Sequence, residues 1–265
     1  MNVIPTLDWL NRTETALIGM IHLEPLPGTP KASMSFQKVR QKALSEAAVL
    51  VRAGFDAIIV ENMGDTPYLR REVPAEIVAA MTVVVSDICR LGLPVGVQVL
   101  AGANQAALAV ATAAGACFIR AESYVFGHLA DEGWMDADAG ELLRYRRRIK
   151  STVSVFCDIQ KKHASHAASN DLGLADWMEA AEFCGADGVV VTGSVTGVPP
   201  SEADRRTLEQ SSFPVLIGSG VTPENVGLYR GVAQGVIVGS YLKEDGHWQG
   251  NVCSQRAKAI RDALK

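Results

Sequence analysis

Short runs of Val, Leu, Ile and Ala recur along the chain without polar alternation. Each ends in a polar or glycine-bearing turn and leads into a longer amphipathic stretch. An unbroken short apolar run fits a strand covered on both faces, as in a parallel sheet. Eight such runs are read as strands: Ala16–Leu23, Asp56–Glu61, Pro94–Val99, Cys117–Arg120, Val153–Asp158, Asp187–Thr192, Pro214–Ile217 and Gly235–Val238. Between them helices are expected at Phe36–Ala53, Pro74–Leu91, Asn104–Ala114, Ala139–Lys150 and Asp171–Cys184, then from Ser201 onward, with Asn251–Leu264 closing the chain. Gly54, Gly92, Gly115 and Gly185 stand where helix C-terminal stops belong. Pro25, Pro27 and Pro30 exclude helix from the loop after the first strand.

Counted in order, the pattern gives eight strands and eight helix-like connections. Phrases such as Ala53-Gly54-Phe55-Asp56-Ala57 and Cys184-Gly185-Ala186-Asp187-Gly188 repeat one unit, a helix end, a glycine and a strand. Alternating β and α elements predict an α/β parallel sheet. The 265 residues match the roughly 250 of a (β/α)8 TIM barrel, so residues 1–265 are read as a single TIM-barrel domain. An open doubly wound sheet is the competing fold. It would carry its glycine fingerprint after the first strand, where this chain has prolines.

The composition changes this picture little. It is 48% hydrophobic and 20% charged, as in a globular protein. A net charge of −4 gives no electrostatic reason to expect nucleic acid or an anionic membrane as partner. No apolar stretch reaches the ~18 residues that span a bilayer, and Met1–Arg12 has no secretory pattern. The expected location is cytoplasmic. Cys89, Cys117, Cys157, Cys184 and Cys253 are far apart with no C-x-x-C spacing, and are read as small buried hydrophobes in a reducing compartment.

In a (β/α)8 barrel the reactive groups sit at the C-terminal ends of strands. Here those ends carry His22, Glu61 with Asn62, Gln98, Arg120 with Glu122, Asp158 with Lys161, and Thr192 with Gly193. The last two strands end in Gly218-Ser219-Gly220 and Gly239-Ser240. Glycine turns after the seventh and eighth strands are a common place for a phosphate site, because the backbone N–H groups approach the ligand closely. Glu61, Asp158 and His22 are candidates for proton transfer. Lys161 is a candidate to hold an anion or form an imine. Arg120 is expected either to help bind phosphate or to neutralise Glu61 or Glu122. His163-Ala164-Ser165-His166 lacks the adjacent glutamate of a helical zinc motif.

Taken together, Gly19-Met20-Ile21-His22-Leu23, Pro25-Leu26-Pro27-Gly28, Val60-Glu61-Asn62 with Asp65 and Pro67-Tyr68, Phe118-Ile119-Arg120, Asp158 with Lys161-Lys162-His163-Ala164, Thr192-Gly193 and Gly218-Ser219-Gly220-Val221-Thr222 resemble the BtpA family. That family is named for a factor needed for photosystem I accumulation and includes proteins encoded among sugar-metabolism genes. The resemblance covers nearly the whole chain. It implies a phosphate-binding-type TIM barrel and brings no reaction or catalytic residues with it.

The expectation is therefore a barrel enzyme acting on a small phosphorylated metabolite, a phosphosugar or a nucleotide-like compound, by isomerase, aldolase or lyase chemistry. No cofactor is expected, with a divalent metal left open. Two alternatives remain: a non-catalytic binding or assembly factor, and a metal-dependent hydrolase using Glu61, Glu122, Asp158 and His163. Homo-oligomerisation is also open.

Overall fold

A computed structural model describes residues 9–10, 15–161, 164–192 and 202–265. Strands β1 (Ala16–His22), β2 (Ala57–Glu61), β3 (Val95–Gln98) and β4 (Phe118–Ala121) alternate with helices α1 (Phe36–Arg52), α2 (Ala75–Cys89) and α3 (Asn104–Ala114). A two-stranded antiparallel hairpin, β5 (His128–Ala130) and β6 (Gly133–Met135), follows β4 and precedes α4 (Ala139–Arg148). The chain continues with β7 (Ser154–Ile159), α5 (Leu174–Phe183), β8 (Gly188–Val191), α6 (Glu202–Gln210), β9 (Val215–Ile217), β10 (Gly235–Val238) and α7 (Ser254–Leu264). The strands β1, β2, β3, β4, β7, β8, β9 and β10 close into a barrel in chain order, every pair parallel. This is the (β/α)8 TIM barrel expected from the sequence.

Two details depart from the sequence reading. The link from β9 to β10 carries a 3₁₀ turn, Val226–Tyr229, in place of a helix. The stretch is short and is interrupted by Gly227 and Gly231, which leaves too few residues for an α-helix. The long loop after β4 folds back as the β5–β6 hairpin, fastened to the segment after β7 by paired backbone bonds between Leu129 and Ser165.

The core has two parts. A large cluster fills the space between strands and helices. A smaller one fills the barrel itself, with Ile18, Met20, Ala57, Ile59, Phe118, Phe156, Val190, Leu216 and Ile237 facing inward. Phe118 and Phe156 meet edge to face at 5.7 Å, and Trp9 stacks on Phe118 at 5.5 Å, closing the end where the strands begin. Room for these rings comes from glycine on the adjoining strands. A Cβ on Gly96 would lie 2.3 Å from Phe118, and one on Gly188 would lie 2.5 Å from Phe156. Large and small side chains alternate around the ring, which packs a barrel interior densely.

Among the cysteines only Cys157 is buried; the other four are half-buried, and all five are free thiols. No described helix is long and apolar enough to cross a membrane.

Candidate functional site

Side chains on a strand alternate between its two faces. Two residues beyond the inward apolar positions Met20, Ile59, Gly96, Phe118, Phe156, Val190, Leu216 and Ile237, the same faces carry His22, Glu61, Gln98, Arg120, Asp158, Thr192, Gly218 and Gly239. All eight line one cavity of about 700 Å³ at the C-terminal ends of the strands. Lys161, Ser219, Gly220 and Ser240 line it as well. The sequence-derived set thus converges on one place, apart from Gly193, which lies outside the described residues.

The loops that hold Glu61 in position are braced by its motif neighbours. Leu26 N–H donates to Asp65 Oδ1 (2.8 Å), Asn62 Nδ2 to Asp65 Oδ2 (2.9 Å), and Leu100 N–H to Asn62 Oδ1 (2.7 Å). One buried network therefore ties together the loops after β1, β2 and β3. Asn62 and Asp65 serve the backbone and leave Glu61 to face the cavity.

The ion pairs differ from those expected. Arg120 pairs with Asp158, not with Glu61 or Glu122; its Nε and Nη2 lie 2.9–3.1 Å from the carboxylate oxygens. Glu122 pairs instead with Lys161 (3.0 Å) and accepts Gly102 N–H (2.7 Å). Among the described residues, Glu61 is paired within 4.0 Å only with His22, at 3.5 Å. Burial pushes the Glu61 carboxyl up to about 7, partly opposed by the Arg120 charge. Burial likewise raises Asp158, against the pull of Arg120. His22 is driven down to about 3 by burial and then by the Lys243 charge. Lys243 is fully buried and bonded to Glu46 of α1 at 2.7 Å. Burial works against the Lys161 charge, but Glu122 outweighs it and raises its pKa. The site thus holds a neutral histidine, a carboxyl raised by burial, and the Arg120–Asp158 and Lys161–Glu122 ion pairs.

The glycine side of the mouth is shaped by close approach. A Cβ on Gly218 would meet Val190 at 2.5 Å and Thr192 at 3.0 Å. Gly220 takes a positive φ of 70°, a conformation glycine adopts without penalty. Asn225 Nδ2 donates to Gly220 O (2.8 Å) and fixes that turn. Among the described residues Ser219 Oγ and Gln98 Oε1 are buried without a hydrogen-bond partner, as expected of groups left for a ligand.

Counting strand ends misses several lining residues: Tyr68, Asp131, Glu132, Tyr241, Trp248 and Arg256. They come from loops, the hairpin tip and α7. Arg256 lies 5.2 Å from the centroid of the Tyr241 ring and donates to Tyr241 O (3.1 Å). No carboxylate pairs with it among the described residues. Trp248 meets His22 edge-on at 6.4 Å. His166, Tyr124 and Trp134 do not line this cavity. His166 donates to or accepts from nothing in the cavity; its Nε2 bonds Lys161 O (2.8 Å) and its ring packs on Trp177. Tyr124 is buried with its hydroxyl on Cys184 O. Trp134 is exposed on the hairpin. No three His, Cys, Asp or Glu side chains gather as a metal-binding group among the described residues, which exclude His163.

Among solved structures, tryptophan synthase of Mycobacterium tuberculosis is similar with a TM-score of 0.62 at 18% identity, covering 99% of this chain and 98% of that one. At that identity the likeness bears on the fold alone. A Caenorhabditis elegans protein described as uncharacterized and mitochondrial is 41% identical over 255 residues, covering 93% of this chain and 92% of the relative. The photosystem I biogenesis protein BtpA of Synechocystis is 36% identical over 256 residues, covering 96% and 89%. The model of the BtpA family matches residues 13–265, and with these relatives it establishes that the chain belongs to the BtpA family.

Proposed function

We propose that the protein is an enzyme acting on a small phosphorylated metabolite by proton transfer. One observation carries the reading: eight strand ends place their inward residues, most of them polar, around one cavity, directly above an apolar interior. Buried ionisable groups cost stability unless they are paired or used. Glu61 is buried with no cation bonded to it among the described residues.

The glycine turns at Gly218–Gly220 and Gly239–Ser240 hold the phosphate through backbone N–H groups, with the Ser219 hydroxyl as a further donor. Arg256, at the same end and paired with no carboxylate among the described residues, adds charge. Glu61 acts as base and then acid on a carbon or hydroxyl of the substrate; a pKa near the working pH suits both directions. Arg120 opposes the rise that burial imposes on Asp158 and orients its carboxyl. Lys161, held protonated by Glu122, stabilises developing negative charge more readily than it forms an imine, which needs the neutral amine. Neutral His22 donates or accepts a hydrogen bond beside Glu61. This chemistry is that of an isomerase, aldolase or lyase.

Solvent-deuterium exchange into phosphosugars and nucleotides, followed by NMR, tests the proton transfer without knowledge of the overall reaction. Wild-type protein is expected to exchange a substrate C–H that Glu61→Gln leaves untouched. Binding of a phosphorylated compound without exchange would overturn the catalytic reading. It would favour the second one, a non-catalytic binding or assembly factor on the same barrel, which rests on the name of the Synechocystis relative.

A further inference from the structure

The cavity is electrically lopsided. On the β9–β10 side stand glycine turns, the Ser219 hydroxyl and Arg256, which no carboxylate pairs among the described residues. Opposite, beyond Lys161, the tip of the β5–β6 hairpin turns Asp131 and Glu132 toward the opening. Among the described residues neither carboxylate accepts a hydrogen bond or joins an ion pair. Glu132 acts on the same space as Glu122 and Asp158, raising the pKa of Lys161 together with them. The hairpin is not a loose flap. His128 is buried beneath it, and Leu129 and Ser165 exchange backbone hydrogen bonds of 3.1 and 2.7 Å.

A second observation concerns the floor on that side. Gln98 is 2% exposed, and its Oε1 is buried without a partner among the described residues. It stands at the end of β3, in register with Glu61. The Gln98 amide oxygen accepts and its NH2 donates, whereas an ionised carboxylate only accepts. The half of the cavity away from the glycine turns therefore has carboxylate acceptors at its rim, Asp131 and Glu132, that no cation bonds among the described residues. A ligand end lying there must offer donors and must not be anionic.

We infer that the site selects monophosphates whose far end carries hydroxyl or amino groups, and that Asp131 and Glu132 exclude a second phosphate. The inference rests on the phosphate reading of the glycine turns. It makes the hairpin tip a specificity element, acting on ligands by charge and not by contact with the reacting atoms. Like charges set against each other across a binding surface cost several kcal/mol in the extreme case. Spread over a solvated rim, the expected discrimination is at least tenfold in Kd, about 1.4 kcal/mol.

Calorimetric titration of the full chain with matched pairs reads this directly: fructose 6-phosphate against fructose 1,6-bisphosphate, ribose 5-phosphate against ribose 1,5-bisphosphate, and glucosamine 6-phosphate beside them, with inorganic phosphate as the common probe. At least one monophosphate is expected to bind ten times or more tightly than its bisphosphate. Asp131→Asn with Glu132→Gln is expected to shrink that gap at least threefold. Both side chains are at an accessible hairpin tip, so the double variant should fold. Equal or tighter bisphosphate binding by the wild type, or a gap indifferent to the double variant, overturns the inference and leaves the phosphate reading standing. Failure of every phosphate, inorganic phosphate included, removes both.

Discussion

The lower and upper parts of the barrel interior are built by the same strands, two residues apart, and they have opposite chemistry. Below, Ile18, Ile59, Phe118, Phe156, Val190, Leu216 and Ile237 interlock around Trp9, with glycines making room for the rings. Above, His22, Glu61, Gln98, Arg120, Asp158 and Thr192 ring an open cavity. The lower layer is held by apolar packing, with the Trp9 indole N–H buried without a partner among the described residues. The upper one leaves Gln98 Oε1 and Ser219 Oγ without partners and Glu61 without a bonded cation among the described residues. Gln98 and Ser219 line a cavity that packing leaves open. The difference argues that the lower layer holds the fold and the upper one is held by it for a ligand.

Substitutions should separate the two layers. Phe118→Ala empties space shared with Trp9 and Phe156 and is expected to cost ~3–5 kcal/mol of unfolding free energy by denaturant titration. A small loss would mean the lower layer is not the packed support described. Arg120→Met strands Asp158 in a buried site, and removal of one member of a buried pair costs a comparable ~3–5 kcal/mol. Part of this loss should return in Arg120→Met with Asp158→Leu, and the single variant should recover as acid protonates Asp158. A loss independent of pH would show that the pair is not electrostatically coupled.

Glu61 should behave in the opposite sense. Its folded pKa, about 7, lies above that of a free carboxyl. The folded state therefore holds the proton more tightly. This contribution is complete below about pH 4.5 and is lost as pH rises through 7, amounting to about 3 kcal/mol at most. Glu61→Gln should flatten the decline and unfold at higher temperature than wild type at pH 8, while abolishing proton exchange. A variant less stable than wild type at pH 8 would break the contrast between layers. The smallest effect is expected at Gln98→Leu, which removes an unpartnered acceptor and should stabilise by ~1 kcal/mol while weakening ligand binding.

The barrel was legible because strands buried on both faces leave unbroken apolar runs, and because Gly54, Gly115 and Gly185 mark the helix ends plainly. The upper ring was legible because its members are the last residues of those runs. Their pairing was not. Arg120 with Asp158 and Lys161 with Glu122 depend on the order and tilt of strands around the barrel, which the sequence does not order by charge. The lining contributed by Tyr68, Asp131, Glu132, Trp248 and Arg256 escaped notice for a related reason. These residues sit well away from strand ends, and only closure of the barrel brings the hairpin tip and the first turn of α7 over the same opening. The link between β9 and β10 was counted as one more helix-like connection because each earlier one carries a helix.

The most direct test of the account is thermal unfolding of wild-type protein and Gly220→Asp in parallel, each with a panel of phosphorylated metabolites and their unphosphorylated counterparts. A ligand at a hundred times its Kd stabilises the native state by ~2.7 kcal/mol. The account predicts a rise in Tm for wild type with at least one phosphorylated compound, none with its unphosphorylated counterpart, and no rise in Gly220→Asp, where a carboxylate replaces the hydrogen of a positive-φ glycine in the cup. A rise with unphosphorylated compounds alone, or one that persists undiminished in Gly220→Asp, would contradict it.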